Sequence, residues 1–243
     1  MEKKKLQLNE FAIEITRKCN MKCAHCLRGE AQKRNIHKKY ITKVLEDISS
    51  IGSLTITGGE PTLNISAIRF ILEELKRLEI PVNNFYIVVN GRKTCQSVEF
   101  LHLLIDMYMY QDYKDEYLPM IQMSNDKYHS HPDEQRESKE FLSMLSFFSC
   151  RDDEYKMSNI ISEGRGYDLG GWKDLNYSKD ISINEYEDII EIDTMIYLNA
   201  KGQICNNCDY SYETQDELYL FDINETSFFE GIKSVSYTHL RAH

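Results

Sequence analysis

Short β-prone runs alternate with helix-patterned stretches along most of this chain, and that alternation limits its folds more than any other feature. Phe11–Thr16 (FAIEIT), Ser53–Thr57 (SLTIT), Phe85–Val89 (FYIVV) and Met120–Ser124 (MIQMS) read as four strands. Between them Ile41, Val44, Leu45 and Ile48 recur at helical spacing and predict one apolar helix face. Asn64 is placed to cap a second helix, whose Ile68, Ile71, Leu72 and Leu75 face inward and which Pro81 stops. Val98–Tyr110 reads as a third helix, Asp133–Phe148 as a fourth, and Asn159–Ser162 (NIIS) as a fifth strand. Parallel neighbours need a long crossover, usually a helix, so the alternation predicts an α/β domain with a parallel sheet. From Gly166 to Asp193 the chain is rich in Gly, Asp and Tyr, and its weak periodicity reads as a long connection. A hairpin follows, with strands at Met195–Asn199 and Gln203–Cys205 around a turn at Ala200-Lys201-Gly202.

Composition narrows the class. With 243 residues and 42% hydrophobic content, the chain can bury one α/β domain with a small appendage and is too apolar for a disordered protein. Its apolar runs fall short of the roughly 20 residues that span a bilayer. The N-terminal Met-Glu-Lys-Lys-Lys runs into Leu-Gln-Leu-Asn-Glu without the apolar stretch of a secretory signal, which predicts a cytoplasmic protein without membrane attachment. In that reducing setting, cysteines serve as metal ligands or catalysts more often than as disulfides. A net charge of -10 argues against nucleic-acid binding, although Lys33, Arg34, Lys38 and Lys39 form a local strip that could attract an anion. The last nine residues, Val235–His243 (VSYTHLRAH), resemble the translation of a sequencing-library adapter and are set aside as non-native in reading the fold.

Seven cysteines are present, and three of them, Cys19, Cys23 and Cys26, stand as C-x3-C-x2-C just after the first strand. Chance would put such a triple in this chain only about 0.006 times. Three thiolates on one compact loop can hold three irons of a [4Fe–4S] cluster, leaving the fourth iron with open coordination sites. The competing reading is a zinc knuckle completed by His25 or another ligand, a spacing that zinc sites do not favour.

The segment RKCNMKCAHC, with Gly58-Gly59-Glu60-Pro61 closing the next strand, resembles the radical S-adenosylmethionine (SAM) superfamily. The resemblance implies a partial (β/α)6 TIM-like barrel, with a [4Fe–4S] cluster and SAM as cofactors. It implies that one electron from the cluster cleaves SAM to a 5′-deoxyadenosyl radical, which abstracts hydrogen from a substrate. An electron donor such as flavodoxin or ferredoxin is implied as well. His25 sits where the family usually carries an aromatic residue. By the same resemblance Gly58, Gly59 and Glu60 receive the SAM amino group, and Asn90-Gly91 ends a third-strand motif in which Val89 replaces the usual threonine. Ser124 and Asp126 match a Ser-x-Asp that binds the ribose and carboxylate of SAM, although short polar residues there also suit a helix N-cap. Arg165, in Gly164-Arg165-Gly166, matches a carboxylate partner, with an ordinary surface arginine as the alternative. His129 and His131 flank the edge of the pocket. Cys95 and Cys150 read as buried core thiols.

Cys205 and Cys208 lie in LNAKGQICNNCDYSYE, which resembles the C-terminal SPASM or twitch extension of peptide-modifying radical SAM enzymes. The resemblance implies an auxiliary iron–sulfur site, but two ligands cannot close one. The remaining ligands would lie beyond the chain's end or come from Cys95 or Cys150; otherwise the pair is two free thiols. The division expected is a radical SAM core at residues 8–193, a SPASM-like extension at 194–234 and the adapter-like tail at 235–243. The function expected is modification of a peptide or small protein. The alternatives are a glycyl-radical activating or nucleotide-modifying enzyme on the same core, or a non-enzymatic zinc-binding module.

Overall fold

The computed structural model describes residues 4–114, 117–129, 131–151, 160–170, 175 and 177–240, with backbone only for 237–240. Five parallel strands stand side by side in chain order: β1 (Lys5–Thr16), β2 (Ile48–Gly58), β3 (Val82–Val89), β4 (Ile121–Ser124) and β5 (Phe148–Arg151). Four helices cross between them: α1 (Lys38–Leu45), α2 (Ile65–Arg77), α3 (Val98–Tyr110) and α4 (Pro132–Leu142). Strands that follow in sequence without a reversal of order make the singly wound α/β arrangement of TIM-like barrels, whereas a doubly wound sheet reverses its order midway. The chain thus has the α/β fold expected of a partial barrel.

On the other side of β1 lie β7 (Ile189–Ile192) and β8 (Ile196–Leu198), both parallel to it. The short strand β6 (Ile183–Glu185) pairs antiparallel with β7. β9 (Gln203–Cys205) returns along β8 as the expected hairpin, and β10 (Phe221–Asp222) adds to β9 after helix α5 (Tyr212–Leu218). The final helix α6 covers Phe228–Leu240 and so takes in residues 235–240. β1 therefore has neighbours on both sides, and its second half, Ala12 to Thr16, is buried without alternation, as in a central strand covered on both faces.

The core follows from the sequence pattern. Ile41, Val44 and Leu45 of α1, Ile68, Ile71 and Leu75 of α2, and Phe100, Leu104 and Met107 of α3 pack on Ile13, Ile56, Ile87 and Ile121 of the sheet. Ser97 accepts a hydrogen bond from Phe100 N at the start of α3, which runs over the residues expected.

Several elements differ from the sequence expectation. Ile48 is the first residue of β2, opposite Leu6, because a fully buried isoleucine serves a strand as well as a helix face. Asn64 precedes α2, but its side chain makes no cap bond; Nδ2 donates to Ile15 O at 2.7 Å and fastens the helix start to β1. α4 stops at Leu142, and Phe148 opens β5 beside β4. The fifth strand is accordingly Phe148–Arg151. Ile160 to Ser162 form no strand, and Asn159 lies outside the described residues. The stretch from Gly166 to Asp193 contains β6 and β7. Its Ile189, Ile190 and Ile192 are held by the open edge of β1, a partner distant in sequence that local periodicity does not reveal.

Candidate active site

Parallel strands deliver all their following loops to one end of the sheet, and α/β folds place their sites there. A cavity of ≈390 Å³ opens at that end. Its wall carries Cys19, Cys23 and Cys26 from the loop after β1, Gly58, Gly59 and Glu60 after β2, Asn90 after β3, Ser124 at the end of β4 and Arg151 at the end of β5. Cys208 and Asp209, beyond β9, line it as well. A larger cleft of ≈580 Å³ lies beside it, lined by Arg28 to Gln32, Glu163, Tyr167 and Ser211 to Thr214. None of the three loop cysteines borders that cleft, whereas all three border the smaller cavity.

The cysteine loop is held by backbone contacts. Gly59 N donates to Thr16 O and Glu60 N to Lys18 O, each at 2.8 Å. A Cβ on Gly59 would lie 2.3 Å from Lys18 O and 3.1 Å from Cys19 Cβ. Glycine is required there because the β2 loop presses directly on the loop after β1. On the opposite flank Gly164, with φ +51°, meets the chain so closely that a Cβ would lie 2.5 Å from both Gly29 N and Leu27 O. Next to it, Arg165 N donates to Cys26 O at 3.0 Å, Nε to Cys23 O at 2.9 Å, and Nη1 to Glu30 Oε1 at 2.9 Å. The Arg165 side chain thus clamps the cysteine loop from behind.

Glu60 is 1% exposed. Its Oε1 accepts from Thr62 N at 3.1 Å and Thr62 Oγ1 at 2.7 Å, and its Oε2 accepts from Asn90 N at 2.9 Å. Burial raises the pKa of this carboxyl, against those three donors. A carboxylate offers about four acceptor positions, so roughly one remains for a ligand. Asn90 is pinned in turn: Nδ2 donates to Asn20 Oδ1 at 2.7 Å, and Oδ1 accepts from Arg92 N at 3.0 Å. Cys19 has its thiol pKa pushed up to about 11, chiefly by burial, so a metal bound there would have to displace its proton.

At the end of β4 the residues divide their work. Ser124 lines the cavity. Neither Ser124 nor Asp126 caps α4, whose N-cap is His131. Asp126 accepts from Tyr128 N at 2.8 Å and lies 2.7 Å from His129 Nδ1, and His129 reaches the cavity. Burial disfavours the charged ring of His129, but Asp126 and the Cys23 thiol outweigh it and raise the pKa to about 9. Opposing His129, His25 stacks on Tyr128 at 4.5 Å, and burial lowers its pKa to about 4. Among the described residues, His25, Asp126 and His129 are the group of potential metal-ligand side chains whose donor atoms all lie within 4.8 Å of one another. His129 reaches the pocket edge where the sequence places it, and the Asp126-x-x-His129 spacing, which one tight turn brings together, is the signal for its pairing with Asp126. His131 does not line the cavity.

The remaining cysteines separate. Cys205 is fully buried with Ala12, Tyr197 and Tyr210, while Cys208 packs on that cluster and borders the cavity. Cys150 sits in β5, at the other end of the strand order from β9, and Cys95 is buried in the main core after β3. All seven cysteines are free thiols. No described helix is long and apolar enough to cross a membrane.

A family model described as the radical SAM superfamily matches residues 13–142. No curated protein matches the chain in sequence. Among solved structures, the chain is similar to native anSMEcpe with bound AdoMet and Kp18Cys peptide, at 11% identity and a TM-score of 0.44, covering 93% of this chain and 80% of that one. It is also similar to SuiB of Streptococcus suis bound to S-adenosylmethionine, at 15% identity and a TM-score of 0.41, covering 84% and 60%. SuiB bound to its precursor peptide SuiA matches at 13% identity and a TM-score of 0.34, with the same coverage.

Proposed function

The chain belongs to the radical SAM superfamily and is an enzyme of it, and from that premise we propose that Cys19, Cys23 and Cys26 hold its [4Fe–4S] cluster while the adjoining cavity receives SAM. One observation carries the reading: the three cysteines and Gly58-Gly59-Glu60 border a single cavity at the strand ends. At ≈390 Å³ that cavity falls within the range of small-molecule sites. The zinc-binding module gives way to the enzyme.

When bound, the cluster and SAM supply one-electron reduction and a 5′-deoxyadenosyl radical for hydrogen abstraction. The chain's own residues shape where that chemistry takes place. Glu60, immobilised by Thr62 and Asn90, offers its remaining acceptor position to the SAM ammonium. Asn90 and Ser124 present polar groups to the rest of the ligand from the ends of β3 and β4. Asp126 acts through His129, which it orients on the cavity wall. Arg165 holds the cysteine loop in register. Val89 and Ile160, both buried and both on the cavity wall, help keep water from the reacting centre.

The substrate we infer is a peptide or small protein. The support is the likeness of residues 194–234 to a SPASM or twitch extension and the way Cys208 and Asp209 of that segment line the cavity. An acidic one-electron donor of the flavodoxin or ferredoxin kind completes the system, and the free thiols suit a cytoplasmic setting. Anaerobic reconstitution tests the assignment. Wild-type protein should bind iron and acid-labile sulfide and release 5′-deoxyadenosine from SAM under dithionite, and Cys19→Ala should lose the cluster absorbance. Zinc without sulfide in the wild type would sink it.

A further inference from the structure

Tyr212 opens α5, is 3% exposed, and its phenol oxygen has no hydrogen-bond partner among the described residues. Buried hydroxyls are almost always satisfied, so an orphaned one points to a group the polypeptide does not itself supply. Its surroundings narrow the choice. Tyr212 borders a small cavity together with Cys19, Cys23 and Cys26. No carboxylate lines that cavity, so sulfur and main-chain carbonyls are the acceptors its described wall offers. The ring is also held in place. The Arg17 guanidinium sits 4.6 Å from its centroid, and Tyr212 N donates to Arg28 O at 3.2 Å, two residues past Cys26.

We propose that Tyr212 is a positioning residue for the metal centre, its O–H donating a hydrogen bond to a sulfur of the cluster held by Cys19, Cys23 and Cys26 and thereby raising the cluster's reduction potential. This rests on the cluster reading of those cysteines. Adding one electron places extra negative charge on the cluster, and a hydrogen-bond donor stabilises that form more than the oxidised one. No bond is made or broken and the phenol keeps its proton; one electron passes from the external donor to the cluster.

The test compares full-length wild type with Tyr212→Phe, which keeps the ring and its contact with Arg17. Both are reconstituted anaerobically, assayed for iron and sulfide, and titrated with dithionite under EPR detection. Equal loading is expected, with a lower midpoint in the variant: about a tenfold shift in the reduction equilibrium, or about 59 mV for a one-electron couple. Equal loading with an unchanged midpoint would overturn the proposal and would mean that the hydroxyl meets only water. Should the wild type itself carry no iron or sulfide, the cluster reading has failed instead. Where Tyr212→Phe loads poorly, pulsed ENDOR of the reduced wild type in H2O and D2O decides the matter, since absence of an exchangeable proton coupled to the cluster contradicts the bond. Without metal, Tyr212→Phe should melt no lower than wild type, whereas a purely structural hydroxyl would lower its Tm.

Discussion

Gly59 has almost no freedom to be anything else. The nearest atoms to an added Cβ are the main-chain oxygen and carbon of Lys18, at 2.3 and 2.8 Å, and neither can rotate away. Gly59→Ala must push the β2 loop off the cysteine loop, an overpacking cost of about 1–3 kcal/mol in denaturant unfolding. Because the displaced neighbour is the backbone beside Cys19, iron content after reconstitution should fall as well. A variant that unfolds normally and loads fully would show that the two loops do not depend on each other. At this scale the sequence was legible wherever a residue type had one use: three cysteines at short spacing, two glycines before a glutamate. It was silent on Tyr212 and on what Arg165 holds, because both reach the loop's surroundings from parts of the chain more than a hundred residues away.

Elements are joined by a buried charge network at the end of β1. Arg17 and Glu14 are both fully buried and paired at 2.7 Å. Tyr197 of β8 donates to Glu14 Oε2 at 2.7 Å and Ala200 N to Oε1 at 2.9 Å, while Arg17 donates to Gln215 and Asp216 of α5 at 3.0 Å each. Core and C-terminal hairpin therefore share one polar knot, and breaking it strands a charge. Arg17→Met should cost about 3–5 kcal/mol, and adding Glu14→Gln should recover much of that, read as coupling in a double-mutant cycle. Additive losses would contradict the pairing. Glu163 makes a second tie, accepting from Ser211 N at 2.8 Å and Thr214 Oγ1 at 2.7 Å. Burial opposes its charge, but the bonds from Ser211 and Thr214 outweigh burial and lower its pKa. A lowered carboxyl pKa contributes stability that is present above the unfolded value, about 4.3, and is lost as pH falls through the folded value. The Tm gap between wild type and Glu163→Gln should accordingly be widest near neutrality and close in acid. A gap that stays constant with pH would rule this out. The same scale explains what the sequence hid. α3 was legible because its helical pattern and Ser97 cap are local, whereas β5 was not, because Leu145, Phe147 and Phe148 are apolar in either a helix or a strand and only the edge of β4 decides between them. Glu14 likewise sits in an ordinary strand pattern, and its partners in β8 and in the turn before β9 are about 180 residues distant.

Across the whole molecule, charge is unevenly distributed. Between Arg17 and Lys39 there are eight Lys and Arg against one acidic residue, Glu30, in a chain whose net charge is -10. Lys18, Lys22, Lys33 and Arg34 of this segment are exposed, and Arg17 N and O bond to Arg34 O and Gln32 N, which draws its two halves together beside the cysteines. An acidic electron donor should be steered to this face, so its reduction rate should fall steeply with ionic strength and fall again in a Lys33→Glu, Arg34→Glu variant, while dithionite reduction stays unchanged. Equal rates with the protein donor in variant and wild type would refute it. The chamber around the three cysteines also has a temporal consequence. Its floor is laid down near residue 20, but Cys208 and Tyr212, which close it, leave the ribosome some 190 residues later. A nascent chain halted before β8 would leave the cysteine loop open where Cys208 and Tyr212 later border it, and would lack Tyr197 as the anchor of Glu14 and Asp216 as the anchor of Arg17. The surroundings of the cysteine loop are thus complete only once the segment from Tyr197 to Asp216 has been made.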